Sequence, residues 1–480
     1  MSLLAALFFL LFSSGRWTVP LAAWLAPLFL LHFVRRGRAL PRLITAAAVL
    51  YVTGCLTWWG MVPVPAPGYF LIMLMITLPG VLPYLVDRLL VRREDPFVST
   101  LVFGAAWVVT EYLNAEFSPY GTWGAVAYTQ VDHLALLQSA ALTGLWGIGF
   151  LIAWTAAVVN WAWWRGFAWD EVRDGVVAWI GTLSLVLLLG GARMVLRPPA
   201  SPNLRVAAIS IEWPPALSPQ RLLSERFSGA ALDTLRANLE AHEQALYAAT
   251  RREAAAGARL VVWSEVDAFV LKTDQAAFEA RAAQVARECG AYLVAGVAVC
   301  TPGQGYYENL WYGFDTQGRM IGRYHKARPV PGDPERGADK EIPVVATSLG
   351  NLAGAVCFDA DFPNLMWKAG KRHADLLVIP ASDWRAIDPV HTRMALVRGV
   401  ENGCSVIRAT HKGLSAAADY QGRILATTDF FRATPSVMVT QVPSRGVRTP
   451  YAKLPNLLPS LCMGVLAAAV VGRIVARTHH

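Results

Sequence analysis

Charge is scarce in this chain, and its cysteines follow no pattern. Only 16% of the 480 residues are charged while 55% are hydrophobic, against roughly 25% charged in an ordinary globular domain. Solubility along the whole length is therefore not expected. The six cysteines, at 55, 289, 300, 357, 404 and 462, include no CxxC pair and no metal-type spacing with histidine, so neither a metal centre nor a disulfide framework is expected. There is no P-loop, and no cofactor is expected. The net charge of +9 would suit nucleic acid, yet no basic block with interleaved aromatics accompanies it. The arginines stand instead beside apolar runs, where they orient a membrane protein.

Those runs are concentrated in the first 200 residues. A spanning helix needs about 20 mostly apolar residues. Candidates are 2–14, 18–34, 43–61, 69–87, 98–116, 141–163 and 176–196, with one more at 455–475. The first is short but carries no AxA-type cleavage site, so it reads as a retained helix and not a signal peptide. Arg35, Arg36, Arg38 and Arg42 follow the second run, Arg88, Arg92 and Arg93 the fourth, and Arg165 and Arg173 the sixth; Arg473 and Arg477 close the chain. The alternate loops hold only Arg16. Basic residues on every second loop place both termini in the cytoplasm and residues 200–450 outside it, in the periplasm of a Gram-negative cell. The expected organisation is a membrane domain of about seven spans at 1–197, a soluble domain at 198–450, and a last helix with a cytoplasmic tail at 451–480. The loop EFSPYGTWGAVAYTQVDH reads as an interfacial aromatic belt through Tyr120, Trp123 and Tyr128, or as the wall of an entrance from the bilayer.

From residue 204 the pattern changes. LRVAAIS, RLVVWSE, AYLVAGVAV, NLWYGFD, LAGAVCF, DLLVIPAS, SVIRAT and SVMVTQV have the Val, Ile and aromatic content of strands. Residues 220–256, 275–289 and 390–402 carry helical periodicity. The alternation predicts a layered α/β domain with helices covering the sheet faces. Prolines at 198, 199 and 202, and again at 443, 450 and 455, mark its limits.

Three chemically capable residues stand where strands end: Glu265 after RLVVWS, Lys326 in GRYHKARPVPGD and Cys357 after LAGAV. Strand-end loops are where α/β folds place chemistry. Alone, each has a plain alternative: a helix cap, a surface cation, a core filler. Aromatics at Tyr306, Tyr307, Trp384, Phe430 and Phe431 lie in loops that could meet lipid or fill a core.

In the order Glu, Lys, Cys, with VVWSE, YHK and AVCFDADFP around them, these residues resemble the triad of the nitrilase, or carbon–nitrogen hydrolase, superfamily. ADLLVIPASDW, His391, Met394-Ala395, Arg398, Glu401-Asn402-Gly403 and IRATHKG also match that pattern. With the membrane runs included, among them TLVFGAAWVVTEYL and SAALTGLWGIGFLI, the chain is similar to the apolipoprotein N-acyltransferase family. That resemblance implies an α-β-β-α sandwich on a polytopic helical domain. It also implies a phospholipid acyl donor, a thioester on Cys357, and a diacylglyceryl apolipoprotein as acceptor. Glu265 would be the base and Lys326 the oxyanion cation, helped by the backbone N–H of Phe358. Three motifs depart from the family. Asp359 stands where a glutamate is usual, and PVPGDPERG replaces Pro-Phe-Gly-Glu, leaving Asp333, Glu335 or neither as a second carboxylate. SDWRAID, with Trp384, replaces Asn-Asp-x-Trp-Phe. A membrane-tethered amidase using water, and a non-catalytic scaffold, are the competing expectations. Helices at both ends of the soluble domain favour a monomer.

Overall fold

The computed structural model describes residues 1–478 other than 215, 216, 218 and 435. It divides into Met1–Leu196 with Leu454–His480, and Arg197–Lys453.

The first unit is helical: α1 (Ser2–Leu10), α2 (Pro20–Val34), α3 (Ala39–Thr57), α4 (Ala66–Thr77), α5 (Leu82–Leu90), α6 (Leu101–Phe117), the single turns α7 (Leu134–Leu137) and α8 (Ala140–Thr143), α9 (Trp146–Trp164) and α10 (Trp169–Leu196). Among the described residues, six segments are long and apolar enough to cross a bilayer. They are Ala39–Thr57, Ala66–Leu90, Phe97–Phe117, Trp146–Trp164, Trp169–Leu196 and Leu457–Ala476. The runs 2–14 and 18–34, expected as spans, form helices of only 9 and 15 residues. A tertiary contact divides them: Gly15 sits at φ +70° against α3, and a Cβ there would meet the carbonyl oxygen of Thr57 at 2.6 Å. The aromatic loop is held from below by Glu111 of α6, whose Oε1 accepts from the N–H of Val126 at 3.0 Å. Trp123 packs on Trp58.

The second unit is built on β1 (Asn203–Ser210), β2 (Leu260–Trp263), β3 (Ala268–Leu271), β4 (Tyr292–Cys300), β5 (Tyr307–Phe314), β6 (Met320–His325), β7 (Glu335–Arg336), β8 (Val344–Thr347), β9 (Gly350–Gly354), β10 (Leu376–Ser382), β11 (Ser405–His411), β12 (Leu414–Ala418), β13 (Ile424–Asp429) and β14 (Ser436–Pro443). Its helices are α11 (Pro219–Ser224), α12 (Gly229–Ala255), α13 (Gln275–Cys289), α14 (Pro363–Lys371), α15 (Val390–Asn402) and α16 (Pro450–Lys453); α17 (Leu457–Thr478) returns the chain to the first unit.

Two sheets form, in the orders β14-β1-β2-β4-β5-β6 and β13-β12-β11-β10-β9-β8. β1, β2 and β4 run parallel, as do β9, β10 and β11; the flanking pairs β4–β5–β6 and β11–β12–β13 are antiparallel. Side chains alternate across a strand, and the burial follows. Val206, Leu260, Val262 and Val294 pack toward Leu352, Leu376 and Val406 of the other sheet. Their neighbours Ala207, Val261, Trp263 and Leu293 pack instead with Leu246 of α12 and Phe278 of α13. On the far side Leu365 of α14 and Leu396 of α15 join the inter-sheet core. The result is a helix–sheet–sheet–helix sandwich.

Candidate active site

In parallel α/β sheets, the carboxyl ends of the strands are where chemistry collects. Glu265 lies two residues beyond β2, Cys357 three beyond β9, and Asp383 directly after β10. Lys326 follows β6. The backbone fixes each one. The Glu265 N–H donates to the carbonyl of Ala381 in the opposite sheet at 3.2 Å, and the Lys326 N–H to that of Asn309 in β5 at 3.0 Å. Gly296 of β4 makes room for the first turn, since a Cβ there would lie 2.3 Å from the carbonyl oxygen of Ser264.

The side chains meet around one ammonium group. Lys326 Nζ donates to Glu265 Oε1 at 3.0 Å and to Glu335 Oε1 at 2.6 Å. The three side chains are 2%, 4% and 1% exposed. Asn309 Nδ2 spans the same carboxylates, at 2.7 Å to Glu265 Oε1 and 2.6 Å to Glu335 Oε2. The N–H of Val330 donates to Glu335 Oε1 at 2.9 Å. Burial by itself disfavours a charged lysine. Here the negative charges of Glu265 and Glu335 overcome it and hold the Lys326 pKa well above the ordinary lysine value.

Cys357 opens a 3-10 turn, Cys357–Asp361, at φ +45°, a left-handed conformation that side chains other than glycine rarely adopt. The thiol is buried and donates to the carbonyl of Ser382 at 3.6 Å. Burial pushes its pKa well above the ordinary value; Glu265 adds to the rise, while Lys326 and Arg408 oppose it. At rest, therefore, Cys357 is a protonated thiol whose charge state both Glu265 and Lys326 influence.

Asp359 ties the cysteine turn to the lysine loop. Its Oδ2 accepts from the N–H of Val356 at 3.0 Å and the hydroxyl of Tyr324 at 2.8 Å, and its Oδ1 from the N–H of Arg328 at 2.9 Å. Burial raises its pKa to about 7 against those donors. Phe358 packs edge-on against Phe362. Asp333 stands on the exposed turn before Glu335, and Glu335 is the one that reaches the lysine.

Behind the cysteine lies a second charged group. His391 Nδ1 is 2.7 Å from Asp383 Oδ1, and Nε2 is 3.2 Å from Asp361 Oδ2. Arg408 Nη2 donates to the same Asp383 oxygen at 2.9 Å. The two carboxylates outweigh burial and raise the His391 pKa to about 9, so at neutral pH it is an imidazolium. Trp384, partly buried, follows Asp383. Cys357, Asp383 and His391 offer donor atoms within 4.8 Å of one another. The histidine and aspartate are spent on each other, however, and the Arg408 cation at hydrogen-bond distance repels a metal ion. The donor set does not suit one.

Comparison with known proteins covers both units. Residues 229–450 match the family model for carbon-nitrogen hydrolases, and residues 4–158 the model for the apolipoprotein N-acyltransferase N-terminal domain. A protein of Geobacter metallireducens named apolipoprotein N-acyltransferase is 29% identical over 80% of this chain and 77% of its own length. One of Pseudomonas putida with that name is 26% identical over 82% and 78%. Along most of its length the chain is similar to apolipoprotein N-acyltransferases. An amidase from Nesterenkonia sp. is similar to 52% of the chain over 92% of its own length, with 21% identity and a TM-score of 0.39.

One residue at the site, Asn309, escaped the sequence reading; Asp361 and Arg408 stand inside the quoted motifs AVCFDADFP and IRATHKG but were not singled out. Arg408 had a signal, a lone guanidinium inside the apolar strand SVIRATH, where a charge is rarely buried without a partner. Asn309 sits in an aromatic strand, YENLWYGF, and nothing in its spacing marks it.

Proposed function

We propose that this membrane protein transfers an acyl chain from a phospholipid, through a thioester on Cys357, to the α-amino group of the S-diacylglyceryl cysteine of an apolipoprotein. The observation that carries the reading is the single buried ammonium shared by two carboxylates beside a buried thiol. Glu265 takes the Cys357 proton as the sulfur attacks the ester carbonyl. The oxyanion that forms is met by Lys326 and the backbone N–H of Phe358, each such donor contributing on the order of 3 kcal/mol. An ammonium has three N–H donors. Two are engaged by Glu265 and Glu335, which leaves one for the oxyanion. When the intermediate collapses, the ester C–O bond breaks and Glu265 returns the proton to the lysophospholipid oxygen. The incoming amine then attacks the thioester, Glu265 accepts its proton, and the sulfur leaves as thiolate. Glu335 gives the second carboxylate a purpose. While Glu265 carries the proton it is neutral, and Glu335 keeps Lys326 paired in the buried site.

The α/β unit works outside the cytoplasm, with both termini inside. The arginine-rich loops after α2, α5 and α9 lie on one side by the positive-inside rule, and α10 carries the chain across from there. Each CH₂ of a lipid taken into water costs about 0.8 kcal/mol, so a catalytic unit anchored at both ends suits membrane-bound donor and acceptor. Anchoring also favours a monomer. The test is mass spectrometry of a lipoprotein from cells depending on this chain, beside a Cys357→Ala control. A triacylated N-terminus in the first and a diacylated one in the second is expected. Diacyl-only product in both, with amide hydrolysis by the purified protein, would assign water as the acceptor and overturn transfer.

A further inference from the structure

Three helices of the membrane unit finish around one space. α2 ends at Val34, α5 at Leu90 and α9 at Trp164. Beside these ends is a cavity of about 540 Å³ lined by Arg35, Arg36, Arg88, Arg92 and Arg93, with Glu94 as its one acid. The indoles of Trp163 and Trp164 complete the wall. Part of this charge is already used. Arg88 donates to the carbonyls of Arg35 and Gly37, and Arg93 to that of Trp164, which satisfies carbonyls that helix ends leave open. Asp87 is held by Arg35 through two bonds, 2.8 and 2.7 Å, and Asp95 by Arg473.

A surplus of positive charge remains. The Arg35 side chain is only 2% exposed, yet its Nη1 has no hydrogen-bond partner. Arg36 and Arg92 are exposed and form no ion pair among the described residues. Membrane orientation asks only for basic residues on one side; it does not require five arginines to line one cavity. Guanidinium groups match phosphate oxygens in pairs, and basic pockets between membrane helices are suited to anionic headgroups. Leu89 of α5, 66% exposed, supplies apolar surface on one of these helices.

We propose that this cavity binds a phosphate-bearing anion, the headgroup of an anionic phospholipid or free phosphate, through the arginines gathered beside these helix ends. The site stands apart from the acyl-transfer reading and does not depend on it. The experiment is native mass spectrometry of the full-length protein from mixed micelles holding equal parts of phosphatidylglycerol and phosphatidylcholine, with inorganic phosphate as competitor. The wild type is expected to retain phosphatidylglycerol in preference. Arg36→Gln/Arg92→Gln, which leaves the Arg35–Asp87 pair intact, is expected to lose about tenfold of that preference. Retention that millimolar phosphate does not displace identifies the lipid as the source; displacement by phosphate identifies the free anion. Equal retention of the two lipids without phosphate binding, or a preference unchanged in the double variant, overturns the proposal.

Discussion

Glu265 acts on Cys357 in two opposed ways. Its negative charge adds to the burial that keeps the thiol protonated, and in the proposed chemistry it is also where that proton goes. Glu265→Gln separates the two. The thiol should become more acidic, so that the midpoint of haloacetamide alkylation moves to lower pH, while acyl transfer drops by at least about 10²-fold, as for loss of a general base. A variant whose alkylation midpoint rises or stays put would contradict the electrostatic account. Glu265, Lys326 and Cys357 were singled out by the order of the motifs VVWSE, YHK and AVCFDADFP and its resemblance to the nitrilase triad, since each alone had a plain alternative. Which carboxylate would join them was not legible. Asp333 and Glu335 are two residues apart, and only the backbone of Val330 and the amide of Asn309 turn Glu335 toward the lysine.

The cysteine turn shows what local geometry costs. A non-glycine residue at φ +45° is strained, and glycine relieves that strain. Comparing two inactive variants, Cys357→Gly should be more stable than Cys357→Ala by about 1 kcal/mol, the reverse of the usual order. Thermal denaturation in detergent reads this. The neighbouring His391 cluster predicts a pH dependence. Its folded pKa of about 9 lies above the unfolded value of about 6.5. The stability it contributes, on the order of 3 kcal/mol, is therefore full below pH 6.5 and is lost as pH rises through 9. The wild-type melting temperature should fall between pH 7 and 9.5, and His391→Gln should flatten that slope even if it lowers the whole curve. Elements were read unevenly from sequence. The parallel strands β1, β2, β4, β9, β10 and β11, buried on both faces, stood out as continuous apolar runs. The short strands β8 and β13 at the sheet edges, VVAT and ILATTD, and β12 beside β13, LSAAA, did not. Nor did the division at Gly15, which only its contact with Thr57 explains.

For the whole molecule, parity governs where the α/β unit works. Five long apolar segments precede it, against the seven runs counted from sequence. Both numbers are odd, so the side reached by α10 is unchanged whether the short α1 and α2 cross as a pair or fold back as a pair. An alkaline phosphatase fused after Ser444 should be active, and one fused after Gly166 inactive, in bacterial cells. The opposite result would place the proposed chemistry on the cytoplasmic side.

The last helix has a bearing on how such a protein is made. α17 packs on α6, and Arg473 donates to the carbonyl of Leu90 and pairs with Asp95, so residues synthesised nearly four hundred positions apart seal one bundle. The ribosome must deliver the entire α/β sandwich before that closing piece emerges. Until then the earlier helices wait in the bilayer with one flank uncovered, dependent on lipid or an insertion factor to shield it. A chain halted at Lys453 would own every group of the candidate site and still lack the wall that completes its anchor.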